Sequence, residues 1–289
     1  MHNALQPVAA EIPGDGVSSG RLELGFERAP SGQTFLDRQY ASYPFHVCRP
    51  FYLDDAIPGM ATVYTQSCSG GLYTQDRLIS TINAGCDTQV HLTTQAATIV
   101  HKSTRGPARQ QMLITAGAGA YVEYLPDPVI LLPGAHLETK LRVRMADMAS
   151  VVLFDAFLTH DPDGVGRTFE RMVSEVVIED PGGPPMAIDR FNAIGSDFAD
   201  PCLGATGGFG CQGTIIAYSP QNDPDELLEA VRRTGCGDAA AGSSMLPGRR
   251  GVWMRIMAAD GAGLKSAMVD LWSAVREVLT GAPPDIRRK

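Results

Sequence analysis

The sequence lacks an excess of positive charge, and this bears on the class of partner. Its 24 Lys and Arg residues stand against 32 Asp and Glu residues, which gives a formal net charge of −8. Nucleic acid is bound mainly through basic surfaces that neutralise phosphates. We therefore expect no nucleic-acid partner.

Long apolar runs and paired cysteines are missing as well. The most apolar stretches, 129–132 and 151–158, fall short of the about 18 residues that cross a membrane, and Asp155 interrupts the second. Residues 1–16 contain Pro, Glu and Asp where an export signal has a basic start and an apolar segment. The six cysteines include no CxxC pair, which disfavours a zinc finger or a disulfide framework. We expect a cytoplasmic protein with reduced thiols and no membrane association.

The residues that are present predict a β-rich body. The 31 glycines and 20 prolines exceed the average shares of about 7% and about 5%, and they are spread along the chain, which predicts many turns. Between these turns, apolar and polar residues alternate as they do in half-buried strands. Strands are predicted near 21–27, 33–40, 45–52, 61–67, 77–82, 89–94, 97–102, 110–115, 120–124, 136–145, 150–158, 168–178, 186–193, 213–218 and 252–258.

Two late segments predict α-helices. Pro224–Arg233 has acids in its first turn and bases in its last, with Asn222 or Asp223 as the cap. From about Ala262 to Thr280, apolar residues recur every three or four positions, and Gly281 ends the segment. The face expected to pack on the β body contains Leu264, Met268, Leu271, Trp272, Val275, Val278 and Leu279.

The order of these elements predicts a mainly β protein with helices added late, and not a βαβ alternation. No internal repeat of about 20–50 residues is visible. The simplest division is a loose lead at 1–19, a single β domain at 20–281 and a basic tail at 282–289.

The sequence motifs that resemble enzyme signatures lack the required context. Gly208–Gly213 fits G-x-G-x-x-G, but it precedes the β-branched run Thr214–Ile216 and not a helix. Gly261–Ser266 looks like a phosphate loop, yet Leu264 stands where a glycine must precede Lys265, and no strand clearly feeds it. Gly16–Gly20 fits G-x-S-x-G, but it precedes the alternating strand pattern of 21–27 and not the helix that a nucleophile elbow opens. These observations do not indicate dinucleotide, phosphate-loop or covalent hydrolase chemistry.

His46 and Cys48 are the nearest sequence-local pair of metal ligands. They lie two apart on a predicted strand and so share a face, and imidazole with thiolate would suit a borderline ion such as Ni²⁺. A partly buried histidine beside a small core cysteine is the favoured alternative. His91 and His101 flank a threonine-rich stretch and carry a similarly weak signal.

Asp155 is a stronger candidate because it places a charge inside the apolar strand 150–158. Burying an unpaired carboxylate costs several kcal/mol, so Asp155 needs a partner. One interpretation is structural, with hydrogen bonds from the backbone or from Arg142 or Arg190. The other is functional, with the carboxylate facing a wet internal cavity that handles cations.

Several ordered blocks of the sequence resemble urease accessory protein UreD, called UreH in some organisms. The resemblance covers roughly residues 20 to 220, and its blocks agree with the family in order and spacing. They are Arg21–Phe26, Arg49–Tyr52, Ser69–Leu72 with Asp76, Leu92–Thr98, Glu123–Ile130, Pro133–Ala135, Phe154–Ala156 and Asp189–Phe191.

This resemblance implies an irregular β-helical body with few helices and no enzymatic activity. It implies a scaffold that binds UreF, which recruits the GTPase UreG, and that contacts the urease structural subunits. Nickel would be a transient cargo, passed through an internal water-filled tunnel toward the nascent urease active site, and not a tightly bound cofactor. The acidic residues of that route match Asp76, Asp155 and Asp189.

The chain also departs from the family pattern. Where the family usually reads Gly-Gly-x-x-Gly-Gly-Asp, the segment 70–76 has Thr74 and Gln75 in place of the second glycine pair. Because glycine adopts positive φ angles at little cost, we expect this turn to be rebuilt. Ile99 and His101 replace a basic and an aromatic residue, so the chain looks like a diverged member.

A different class of function stays open at this point. A β-helical carbohydrate-active enzyme would use paired Asp carboxylates about 5–9.5 Å apart in an open groove with stacked aromatics. An enclosed tunnel would favour metal transfer. A binding scaffold with no metal role is the third possibility.

Overall fold

The computed structural model describes residues 19–199 and 206–285. Most of the predicted lead, residues 1–18, and the end of the basic tail, residues 286–289, lie outside the described residues. The division into a lead, a single domain and a tail therefore stays a prediction.

The described parts of the chain are mainly β. The helices are α1 (Gly195–Ala199), α2 (Pro224–Arg233) and α3 (Gly261–Thr280), with a 3-10 turn at Pro247–Arg249. The strands are β1 (Ser19–Arg28), β2 (Thr34–Ala41), β3 (Phe45–Val47), β4 (Ala61–Ser67), β5 (Arg77–Ala84), β6 (Gln89–Thr94), β7 (Ile99–Val100), β8 (Ala108–Ala116), β9 (Tyr121–Leu125), β10 (Val129–Leu131), β11 (His136–Met145), β12 (Ser150–Thr159), β13 (Arg171–Glu179), β14 (Pro185–Ile194), β15 (Cys211–Tyr218), β16 (Ala240–Met245) and β17 (Gly251–Ala258).

These strands form two facing sheets. The first has the order β14-β13-β11-β8-β5-β1-β2, and the second has the order β16-β17-β15-β12-β9-β6-β4-β3, with β7 and β10 beside β12. From β5 to β13 the chain alternates between the sheets, and each long strand pairs in parallel with the strand one coil earlier. Antiparallel strands extend both ends. The irregular β-helical class with two late helices is confirmed, and α1, β10 and β16 are additions to the predicted elements.

A structural repeat is present although the sequence shows none. The turns 85–88, 117–120 and 146–149 each join a strand of the first sheet to one of the second. The third residue of each turn is left-handed: Asp87 (φ 56°), Gly119 (φ 67°) and Met148 (φ 60°). Because different residues carry the same backbone shape, the coils leave no sequence consensus.

The central core consists of apolar columns that run across the stacked strands. In the first sheet, Leu24, Ile82, Ile114, Val143 and Ile178 are register partners, and all are almost fully buried. Burial of each such side chain is worth about 1.5–3 kcal/mol. The columns therefore fix which residues of each coil point inward.

The two late helices cover the outer face of the second sheet. Asp223, and not Asn222, caps α2, and α3 runs from an Asp260 cap to Gly281, whose φ is 81°. The predicted apolar face of α3 is confirmed, with Leu264, Leu271 and the other five residues buried or packed against this second core. The helices therefore form a third layer, on the outer face of the second sheet.

The turn before Asp76 contains a left-handed residue that is not glycine. Gln75 adopts φ 66° at one of the two positions where the family usually has its second glycine pair. Gly71, with φ 137°, is required where it stands because a Cβ there would clash with the carbonyl oxygen of Ile99. The turn thus places one non-glycine residue in a strained backbone conformation.

Replacing Gln75 by glycine should relieve that strain. We expect Gln75→Gly to raise the free energy of unfolding by about 0.5–1 kcal/mol, measured by urea denaturation, because glycine adopts positive φ without a Cβ clash. Gln75→Ala is the control, since it keeps the Cβ and should give no gain. Equal stability of the two variants would contradict a left-handed residue at this position.

Candidate functional site

A cavity of about 380 Å³ lies between the two sheets. Its wall includes Gln110, Thr139 and Ser174, which are register partners across the first sheet. The exposed residues Ser67 and Gln95 also belong to the wall, so the cavity reaches the surface at that end. It is thus an internal space with a mouth.

From this cavity, a row of polar residues extends across the interior along the second sheet. On β12 the inward positions are Leu153 in the central core, Asp155 at the cavity, and Phe157 in a third apolar cluster. Asp155 is the register partner of Thr214, which is the register partner of Arg255. We call the following residues the polar layer: Gln110, Thr139, Asp155, Ser174, Asp189, Thr214 and Arg255.

Asp155 links the two sheets. Its Oδ2 accepts a hydrogen bond from the Ser174 hydroxyl. Burial raises the pKa of the Asp155 carboxyl above its usual value and the negative charge of Asp189 adds to this, whereas the Ser174 hydrogen bond and the positive charge of Arg255 oppose it. The carboxylate is therefore held in a site where a further cation would be stabilised.

The prediction that Arg142 or Arg190 donates hydrogen bonds to Asp155 is wrong. Arg142 pairs with Glu179 at 3.0 Å, and Arg190 pairs with Glu175. Both arginines lie on the outer face of the first sheet, since inward and outward side chains alternate along a strand.

Asp189 and Arg255 end the polar layer opposite the mouth. Arg255 Nη2 donates to both carboxylate oxygens of Asp189 at 3.0 Å each. The guanidinium carbon lies 5.2 Å from the Phe191 ring centroid and 5.0 Å from that of Trp253. The structure thus brings Asp155 and Asp189 into one electrostatic network, with an arginine that the sequence reading did not find.

Three atoms of the polar layer are buried without a hydrogen-bond partner among the described residues. They are Thr139 Oγ1, Thr214 Oγ1 and Arg255 Nε. Buried polar groups of this kind are usually satisfied by ordered water. The layer therefore has the chemistry of a hydrated interior and not of a dry core.

Asp76 lies apart from the other two predicted acids. It is partly exposed in the turn before β5, and its Oδ2 accepts from the Tyr73 backbone N–H at 2.8 Å. The preceding segment 70–72 belongs to the cavity wall. Asp76 therefore follows a segment of the cavity wall in the sequence, and its carboxylate contacts the backbone of its own turn.

The other predicted metal ligands are not brought together. His46 Nδ1 lies 2.7 Å from Gln66 Oε1, and Cys48 follows the end of β3. His101 stacks on Tyr73. Over 19–199 and 206–285, no three His, Cys, Asp or Glu side chains converge as a metal site. All cysteines in those ranges are free thiols.

The sequence reading missed a second buried polar cluster, centred on Glu123 beneath α3. Oε1 of this fully buried residue accepts from Tyr121 Oη at 2.6 Å and from Trp272 Nε1 at 2.9 Å. Oε2 lies 2.6 Å from His91 Nδ1, and Oε1 lies 3.3 Å from Arg276 Nε. Burial alone would raise the Glu123 pKa, but His91, Arg276 and Tyr121 together lower it below its usual value. Glu123 is therefore held as a carboxylate.

Arg276 connects α3 to this cluster and to a loop. Its Nη2 lies 2.8 Å from Asp54 Oδ2, and its side chain is only 2% exposed. The sequence did carry a signal, because Arg276 stands one helical turn after Trp272 on the face predicted to be buried. A charge on such a face indicates a buried partner.

Comparison with known proteins decides the family. Residues 18–289 match the family model described as the UreD urease accessory protein. Urease accessory protein UreD 1 of Pseudomonas syringae pv. syringae is 37% identical over 92% of this chain and 94% of its own length. UreD 1 of Methylorubrum extorquens is 35% identical over 98% and 97%, and UreD 2 of Streptomyces griseus is 31% identical over 96% of each. The chain belongs to the UreD family of urease accessory proteins.

Membership in the UreD family makes the chain a non-enzymatic factor in urease maturation. The motif contexts agree with this. Gly208–Gly213 leads into β15 and not into a helix, as predicted. A strand, β17, does feed Gly261–Ser266, contrary to the sequence reading, but the Asp260 carboxylate caps Gly263 N where a phosphate would bind.

A role in urease maturation also bears on partners and on the alternative enzyme. It implies contact with urease and with other accessory proteins. A carbohydrate-active UreD-like enzyme would need Asp155 on an open groove, whereas Asp155 lies between the sheets with Ser174. Within the described residues, none of the helices has the length and apolarity needed to span a bilayer.

The Glu123 cluster should dominate the attachment of α3. We expect Glu123→Ala to lower the free energy of unfolding by about 3–5 kcal/mol, because it leaves Arg276 buried beside one fewer carboxylate. The matched control is Glu175→Ala on the outer face, whose pair with the exposed Arg190 should be worth about 0–1 kcal/mol. Similar losses for the two variants in urea denaturation would contradict the special role of the buried cluster.

Proposed function

We propose that this UreD-family chain holds UreF, and through it UreG, on apo-urease, and that nickel ions pass through its polar layer to the urease active site. In this proposal nickel is a transient cargo and not a resident metal of the chain. Membership in a family of urease accessory proteins supports the site of action. The polar layer supports the transport role.

The observation that carries the proposal is the position of Asp155 in an internal cavity that opens at Ser67 and Gln95. A cation entering there meets hydroxyl and amide oxygens from Thr139, Ser174 and Gln110 before it reaches the carboxylate. Ni²⁺ binds oxygen ligands less tightly than clustered thiolates or imidazoles. Spaced oxygen ligands therefore attract the ion and still release it, as conduction requires.

The electrostatics favour a cation as the transported species. Asp155 and Asp189 supply two negative charges to the layer, and Arg255 supplies one positive charge. The chain as a whole has a formal net charge of −8, which also attracts cations. The absence of a third nearby ligand within the described ranges fits transient passage better than storage.

Neutralising Asp155 tests this function. We expect Asp155→Asn to lower urease activation and the nickel content of urease by on the order of tenfold, the lower end of the effect of losing a carboxylate in a metal-handling site. Asparagine is nearly isosteric and still accepts from Ser174, so folding should be retained. The measurements are urease activity and nickel per active site after co-expression with the other accessory proteins.

The control for this variant is Glu175→Gln, which removes one charge from the outer face one residue away from Ser174. Both variants should still co-purify UreF, and should co-purify UreG when UreF is present. Normal nickel loading of urease with Asp155→Asn would refute the transport role, and loss of UreF from both variants would point to a folding defect instead.

Asp76 is kept in the proposal as an outer residue of the route, and its charge can be separated from its turn. In Asp76→Asn the amide oxygen can still accept from Tyr73 N–H, so the turn is preserved while the charge is lost. We expect a smaller reduction in nickel loading than for Asp155→Asn. Wild-type loading in the same co-expression assay would remove Asp76 from the route.

A further inference from the structure

Arg255 is an unexpected residue in a layer that conducts cations. Its side chain is 22% exposed and reaches between the sheets to Asp189, whose side chain is 14% exposed. A fixed positive charge at this place repels an approaching divalent ion. If nickel passes this end of the layer, the guanidinium has to leave the carboxylate or the carboxylate has to turn away.

The pairing geometry is suited to release. A guanidinium and a carboxylate bind most strongly through two parallel bonds from two different nitrogens. Here a single nitrogen, Nη2, serves both oxygens of Asp189, while Nε is buried without a partner among the described residues. The ion pair therefore uses only part of the bonding capacity of the arginine.

The aromatic neighbours give Arg255 a second support. Its guanidinium lies within about 6 Å of the Phe191 and Trp253 rings, the range of a cation–π interaction. These contacts do not depend on the Asp189 carboxylate. The arginine can consequently stay charged and held at the wall when Asp189 binds another cation.

We propose that Arg255 is a positioning residue that closes the polar layer at Asp189, neutralising this carboxylate between ions and yielding it to a divalent cation that arrives from Asp155. This inference rests on the proposed transport function. It also accounts for the lack of trapping, because without Arg255 the layer would present two uncompensated carboxylates, a combination that retains a divalent ion.

Nickel binding to the purified chain tests this proposal without urease. We expect Arg255→Gln to bind one Ni²⁺ per chain at least about tenfold more tightly than the wild type, measured by equilibrium dialysis, because glutamine keeps a donor but removes the opposing charge. The double variant Arg255→Gln/Asp155→Asn should lose this gain, since one of the two carboxylates is then neutral.

Two controls separate the role of the Arg255 charge from general effects. Arg190→Gln removes the same charge from the residue next to Asp189, but on the outer face, and should bind nickel as the wild type does. Arg255→Lys keeps a positive charge and should also bind as the wild type does. If Arg255→Gln does not fold, Arg255→Met, which also lacks the charge, takes its place and should show the same tighter nickel binding.

The outcomes decide between a gate and a purely structural ion pair. If Arg255 only stabilises the fold, Arg255→Gln and Asp189→Asn break the same pair and should affect nickel binding alike. The proposal instead expects Arg255→Gln to bind nickel more tightly than the wild type and Asp189→Asn to show no tighter binding. Unchanged nickel binding in a folded Arg255→Gln chain, or tighter binding by Arg255→Lys, would overturn it.

This result is independent of the transport test. Failure of Asp155→Asn to lower nickel loading of urease would reject the route itself. A route supported by Asp155→Asn together with unaltered nickel binding by Arg255→Gln would leave the function in place and reject only the gate.

Discussion

The parallel register of the coils is the constraint on which the rest of the structure depends. Each long strand between β5 and β13 pairs in parallel with the strand one coil earlier, so inward side chains form straight columns. A shift by one residue would turn every inward side chain of that strand outward. Apolar columns such as Ile82, Ile114 and Val143 therefore also fix the row Gln110, Thr139 and Ser174, and the polar layer follows from the same register that builds the core.

Polar groups in the middle of a core are costly, and the fold limits this cost by position. The central core ends at Leu153 and the third cluster begins at Phe157, so apolar packing flanks Asp155 on both sides along β12. Hydrogen bonds within the protein satisfy only some polar atoms of the layer, because Thr214 Oγ1 and Thr139 Oγ1 lack a hydrogen-bond partner among the described residues. A layer of this kind adds little stability, which is why a function is the better account of it.

Local features of the fold were predictable because their signals are local. Period-2 alternation gave the strands, and acids, bases and Gly281 gave the helix ends. The contacts of Asp155 depend on which strands face each other, which no local pattern contains. The predicted contact between Arg190 and Asp155 was avoidable, however. If Asp189 points inward, the adjacent Arg190 must point outward. The stacking of coils could not be predicted from the sequence. Asp87 and Met148 occupy equivalent turns and share a backbone conformation, but their side chains differ in chemistry.

The arginine–carboxylate contacts of Arg276 and Arg255 differ in burial and in the number of carboxylates, and this difference is informative. Arg276 contacts two carboxylates, Asp54 through Nη2 and Glu123 through Nε, and its side chain is only 2% exposed. Tyr121, Trp272 and His91 also contact Glu123. Arg255 instead contacts a single carboxylate, Asp189, through a single nitrogen, and its side chain is 22% exposed. Removing a carboxylate from a fully buried arginine is expensive, whereas a partly exposed pair beside polar groups can exchange partners at lower cost. The first arrangement suits a permanent joint between α3 and the sheet, and the second suits a contact that opens.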